Sequence, residues 1–126
     1  MGRLLQPQQV ALVVEDDPYV RELAATVLEE TDLKVVEASS AKEALQYLRD
    51  HAEEVSLLFA DVRLPCLMSG VDLARAVSIE WPWVRTVLTS GAPLDSADAV
   101  PSEVRFVPKP WAAMDVLVEV ERAVRA

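Results

Sequence analysis

The chain has 126 residues, 52% of them hydrophobic and 26% charged, with a formal net charge of −9. That length suits one domain, residues 1–126, and no run approaches the roughly 18 apolar residues of a membrane span, so neither a multidomain reading nor a transmembrane one is required. The acidic balance argues against direct nucleic-acid binding, because phosphate backbones demand a basic surface, and the lone Cys66 and lone His51 exclude an internal disulfide and a Cys- or His-based zinc site.

The N-terminal stretch MGRLLQPQQV lacks the apolar run and cleavage site of a secretory signal, so a soluble cytoplasmic protein is expected. Val10 to Val14 is a continuous apolar run rich in valine, short enough for a strand buried on both faces. Three acids follow, Glu15, Asp16 and Asp17. From Pro18 the spacing of Val20, Leu23, Ala24, Val27 and Leu28 predicts an amphipathic helix with proline in its first turn. A second unit repeats the scheme: LKVVEA is a short strand, and Ser39 or Ser40 caps a helix whose Ala44, Leu45 and Leu48 share one face. In the third unit SLLFADV is strand-like up to Asp61, the loop RLPCLMS turns, and a helix runs from Gly70 until Pro82 stops it.

VRTVLTS is the fourth strand. The segment from Gly91 to Glu103 is small, polar and proline-bearing, so any fourth helix there is short or irregular. VRFV, the fifth strand, leads to Lys109 between two prolines, and the last helix is expected to carry Met114, Leu117, Val118 and Val124 on or near its apolar face. Trp81 and Trp83 flank Pro82 as packing residues at the sheet's lower edge.

Five strands alternating with about five helices predict an α/β fold, a doubly wound parallel sheet with right-handed crossovers. Ligands in such sheets sit beyond the carboxyl ends of the strands. The acids of strand one, Asp61 of strand three, Thr89 and Ser90 of strand four and Lys109 of strand five all fall at that edge. Singly, each has an ordinary role: Asp17 as a helix cap, Asp61 and Ser90 as turn residues, Lys109 as a surface lysine. Together they form a cluster in which two carboxylates about 4 Å apart would repel by roughly 4 kcal/mol at an effective dielectric near 20. Such a cluster calls for a cation.

Oxygen donors suit a hard divalent ion, and magnesium uses only one or two protein carboxylates. Asp16 and Asp61, with Glu15 nearby, therefore propose a Mg2+ site. A carboxylate beside the metal can attack phosphorus, Lys109 adds a second cation, and a hydroxyl from Ser90 or Thr89 can bond a phosphoryl oxygen. The set describes an aspartyl-phosphate site.

In this order LVVEDD, LLFADVRLP, GVDLARAV, TVLTSG and VRFVPKP resemble the receiver domains of two-component response regulators, over essentially the whole chain. The resemblance implies a flavodoxin-like strand order 2-1-3-4-5 and a phosphorylation-controlled switch rather than an enzyme acting on other substrates. Asp61 would accept a phosphoryl group from a sensor histidine kinase or a histidine phosphotransfer protein. Asp16 and Asp61 would hold Mg2+ with the main-chain carbonyl of Arg63, and Glu15 through water. Lys109 would grip the phosphoryl group, and the bond to Pro110 would be cis. Ser90, followed by small Gly91, is favoured over Thr89 as the switch hydroxyl, because neighbours in a strand face opposite ways and only one can serve. Phe106 stands at the aromatic switch position and Trp111 near the signalling face. A homodimer through strand five and the last helix is one assembly the resemblance allows; the downstream protein target is left open, as is any domain beyond Ala126.

Two departures stand out. The loop VRLPCLMS is one residue longer than the common form, which brings Cys66 to the site's rim, and Arg63 is placed to tune access of water or phosphodonor. The segment Gly91 to Glu103 is shorter than the usual fourth helix. Three other classes compete. A phosphatase of the haloacid dehalogenase type needs an acid two residues after its aspartate, where this chain has Arg63. A flavodoxin-like electron carrier needs a Ser/Thr/Gly-rich phosphate cradle after strand one, where this chain has acids. A pseudo-receiver would keep the fold without phosphorylation, and the intact set Glu15, Asp16, Asp61, Ser90 and Lys109 speaks against it.

Overall fold

The computed structural model describes residues 9–94 and 100–125. Five strands, β1 (Val10–Val14), β2 (Lys34–Ala38), β3 (Val55–Asp61), β4 (Arg85–Ser90) and β5 (Arg105–Pro108), form one sheet in the order β2-β1-β3-β4-β5. All four pairings are parallel. Four helices accompany them among the described residues, α1 (Pro18–Leu28), α2 (Ala41–His51), α3 (Gly70–Glu80) and α4 (Ala113–Arg125), with a single 3₁₀ turn at Ala52–Glu54.

Alternation along the strands divides the core in two. Val10, Leu12, Val14, Leu58, Ala60 and Leu88 meet α2 and α3 on one face; Ala11, Val13, Leu57, Phe59, Val87 and Val107 meet α1 and α4 on the other. Successive side chains of a strand point to opposite faces, so an all-apolar strand such as β1 is what a doubly covered sheet requires.

The helix starts are set by side-chain caps. Asp17 accepts from the Tyr19 and Val20 amides, so it does serve as the cap of α1. Ser40, not Ser39, caps α2 by accepting from Glu43 N, while Ser39 donates to the Glu43 carboxylate. Ser69 and Asp72 form a reciprocal capping box on α3.

Two expectations need correction. In α4 the side chains that reach the core are Val116 and Val120, whereas Met114, Val118 and Val124 are 67%, 41% and 49% exposed and Leu117 is half-buried. Both Met114/Val118 and Val116/Val120 have i, i+4 spacing, so periodicity alone does not choose between them; the sheet surface does. In α1, Leu23 likewise lies outward while Ala24, Ala25 and Leu28 are buried. Between β4 and β5, no helix occurs among the described residues, and residues 95–99 of the expected short or irregular helix lie outside them. Trp81 packs partly against the α2/α3 core, and Trp83 is exposed but donates its indole N–H to Ala52 O at 2.9 Å.

Candidate phosphoacceptor site

Parallel strands put their carboxyl ends on one edge, and there the chain gathers its acids. Glu15 follows β1 directly, Asp61 closes β3, Thr89 and Ser90 close β4, and Lys109 follows β5. The edge is tied together by main-chain bonds: Glu15 N donates to Ala38 O at 3.0 Å, Val62 N to Thr89 O at 2.9 Å, and Lys109 N to Ser90 O at 2.9 Å. Lys109 and Pro110 are joined by a cis peptide bond.

Glu15 and Asp61 are only 5% and 6% exposed. The Lys109 ammonium lies between them, 2.5 Å from Asp61 Oδ2 and 3.0 Å from Glu15 Oε1. Each acid also receives a main-chain donor: Arg63 N reaches Asp61 Oδ1 at 2.8 Å, and Asp17 N reaches Glu15 Oε2 at 3.1 Å. Burial, and then its neighbour Asp61, push the Glu15 carboxyl up to about 7, against the smaller lowering effects of Asp17 N and Lys109. For Lys109, burial alone would depress the ammonium's pKa, but the bonds to Asp61 and Glu15 outweigh it and hold the pKa above the ordinary lysine value. Two buried carboxylates against one ammonium leave an excess of negative charge, so hard oxygen donors face a deficit of cation. This donor chemistry fits magnesium.

The remaining residues are less tightly joined. Asp16 is exposed, and no group of three His, Cys, Asp or Glu side chains close enough to hold a metal ion occurs among the described residues. Ser90 Oγ accepts from Ala92 N at 3.2 Å and belongs to a cavity lined by Val62, Arg63, Leu64 and Pro93. Thr89 pairs with Asp61 across the sheet and turns to the other face, beside Val13, Phe59 and Trp111, where its buried Oγ1 has no hydrogen-bond partner among the described residues. Phe106 is half-buried against the α2/α3 core, and Trp111 packs edge-on to Phe59 with ring centroids 5.7 Å apart. Arg63 and Cys66 are exposed on the loop beyond Asp61.

Two contributors have no local signature. A Cβ placed on Gly70 would sit 2.1 Å from Asp61 O, so only glycine lets α3 begin this close to the end of β3. Gly70 N then donates to Val62 O at 2.8 Å, closing the loop. Arg21, on α1, donates from Nη1 to Glu15 O at 2.9 Å and from Nε to Glu37 Oε1 at 3.2 Å.

A family model described as the response regulator receiver domain matches residues 11–121. Over 120 residues the chain is 29% identical to the sensor kinase CckA of Brucella abortus, across 93% of this chain and 13% of that protein. It is 31% identical over 87 residues to protein-glutamate methylesterase/protein-glutamine glutaminase 3 of Hahella chejuensis, across 68% of this chain and 24% of that protein. The chain thus spans a quarter or less of these curated relatives. Among solved structures, the signal receiver domain of an HD domain-containing protein from Pseudomonas fluorescens Pf-5 superposes with a TM-score of 0.83 at 25% identity, covering 94% of this chain and 96% of that one. The receiver domain of hybrid histidine kinase CckA gives 0.77 at 27% identity, covering 90% and 97%.

Proposed function

Because the chain belongs to the receiver-domain family of two-component response regulators, we propose that it is a signalling switch whose Asp61 accepts a phosphoryl group from a histidine kinase or histidine phosphotransfer protein. The observation that carries this is the Lys109 ammonium held between two buried carboxylates at the strand ends. An Asp61 oxygen attacks phosphorus, the P–N bond of the donor phosphohistidine breaks with its electron pair going to nitrogen, and the ring, already protonated on its other nitrogen, leaves as neutral imidazole. The product is an acyl phosphate on Asp61. Lys109 neutralises charge on the phosphoryl oxygens, and Ser90 donates its hydroxyl to one of them.

Asp16, Asp61 and the main-chain carbonyl of Arg63 would hold magnesium, with Glu15 contributing through water, and the ion would supply charge neutralisation on the transferring group. Ser90 moving toward the phosphoryl oxygen frees space into which Phe106 turns, and phosphorylation so biases an existing equilibrium between two surfaces. The output is a change in protein binding in the cytoplasm, not turnover of a further substrate; the esterase activity in the name of the Hahella relative is not carried over.

The test is intact mass after incubation with acetyl phosphate, with and without Mg2+, on wild type and Asp61→Asn. A magnesium-dependent, base-labile gain of one phosphoryl group in the wild type alone is expected. No gain from acetyl phosphate or from a phosphorylated phosphotransfer protein would favour the pseudo-receiver.

A further inference from the structure

Asp16 differs from the other acids of the site in how it is held. Glu15 is fixed by Lys109 and Asp17 N, and Asp61 by Lys109 and Arg63 N, whereas the exposed Asp16 side chain has no hydrogen bond among the described residues. With no such bond to hold it, where it stands is set by its main chain, through the planar peptide that joins Glu15 to Asp16. That peptide's carbonyl is the one Arg21 Nη1 grips at 2.9 Å, and the same guanidinium is anchored through Nε to Glu37 of β2 at 3.2 Å. Glu15 N is meanwhile bonded to Ala38 O of the same strand at 3.0 Å. Both polar groups of Glu15's main chain are therefore tied, one directly to β2 and the other to β2 by way of α1.

From this chain of contacts we infer that Arg21, braced by Glu37, is a positioning residue that aims Asp16 at the cation. The inference rests on the receiver reading above. A guanidinium suits the task because its N–H groups diverge in a rigid plane and can hold a carbonyl and a carboxylate at once, which a lysine ammonium matches less well. The charge of Arg21 acts in the opposite direction, since a fixed cation near a metal site repels the metal. Positioning and charge thus predict opposite signs when Arg21 is replaced by a neutral residue.

The experiment is a calorimetric Mg2+ titration of the unphosphorylated full chain as wild type, Arg21→Gln, Arg21→Lys and Glu37→Gln, paired with acetyl phosphate labelling rates at limiting and saturating Mg2+. Arg21→Gln is expected to weaken magnesium about tenfold, the lower end of what outer partners of metal ligands contribute. Arg21→Lys and Glu37→Gln lose less. At saturating Mg2+ the labelling rate returns to the wild-type value, because Asp61 and Lys109 are untouched. Unchanged or tighter magnesium binding in Arg21→Gln would overturn the inference, as would a rate defect that saturating Mg2+ does not cure. Should Arg21→Gln fail to fold, wild-type affinity in Arg21→Lys overturns it equally. A wild type that neither binds Mg2+ nor gains a phosphoryl group would instead overturn the receiver reading itself.

Discussion

Lys109 Nζ lies 2.5 Å from Asp61 Oδ2 and 3.0 Å from Glu15 Oε1, so one ammonium serves two buried carboxylates. Removing it strands both charges. Breaking a buried pair commonly costs about 3–5 kcal/mol, and the Lys109 side chain is still 23% exposed, which lowers the expectation. Lys109→Met should lose about 2–3 kcal/mol at pH 8 in urea denaturation without Mg2+. The loss should shrink at pH 5, where Glu15 carries a proton. A loss that is equal at both pH values would show that the two acids are not electrostatically coupled through Lys109.

Glu15 itself sets a pH dependence. Its carboxyl is raised from 4.5 to about 7 in the folded chain, so the folded state binds a proton that the unfolded state has released. Its contribution is complete below pH 4.5 and is lost as pH rises toward about 7. The midpoint of thermal unfolding of the metal-free chain should fall over that window, and Glu15→Gln should flatten the fall. Glu43 and Asp72, held below the usual carboxylate range by bonds from Ser39 and Ser69, act the other way and only at lower pH. At the proposed magnesium site a proton on Glu15 would remove nearby negative charge, so Mg2+ affinity should weaken as pH drops below about 7.

How far the sequence reached follows from which features are local. Strand ends were readable because each is a short apolar run broken by an acid, a hydroxyl or a lysine, and parallel crossovers oblige those breaks to meet on one edge. That reasoning gathers Glu15, Asp61, Ser90 and Lys109 on one edge from the sequence alone. It could not tell that Lys109 bridges Glu15 to Asp61, or that Asp16 stays exposed while Glu15 is buried, because those depend on side-chain reach. The inward face of α4 escaped because two apolar stripes overlap on it, and only the position of the sheet picks Val116 and Val120. Arg21 and Gly70 escaped for another reason: their partners, Glu37 and the Asp61 carbonyl, belong to other elements, and no periodicity encodes such contacts.

Gly70 gives a prediction in which two effects oppose. Alanine is favoured over glycine within a helix by up to about 1 kcal/mol, yet here its Cβ would stand 2.1 Å from Asp61 O and 2.8 Å from Val62 Cα, both main-chain atoms. Backbone cannot swing aside as a flexible side chain does, so the clash wins. Gly70→Ala should destabilise the fold by about 2 kcal/mol or more, and displacement of the Asp61 carbonyl should slow acetyl phosphate labelling. A variant as stable and as quickly labelled as wild type would mean that α3 can back away from β3 at little cost.

The two hydroxyls at the end of β4 should separate cleanly. Thr89 Oγ1 is buried without a hydrogen-bond partner among the described residues, on the face of Phe59 and Trp111, so Thr89→Val replaces that polar atom by a methyl group of similar size. That change should be neutral or stabilising by up to about 1 kcal/mol and should leave the response to phosphorylation intact. Ser90 lies on the opposite face, its Oγ accepting from Ala92 N, and is the hydroxyl we propose to answer a phosphoryl group on Asp61. Ser90→Ala should therefore still be labelled but should lose the conformational change, read as amide shifts around Phe106 between the unphosphorylated and phosphorylated forms. The reverse pattern, with Thr89→Val silent and Ser90→Ala responsive, would assign the switch to Thr89.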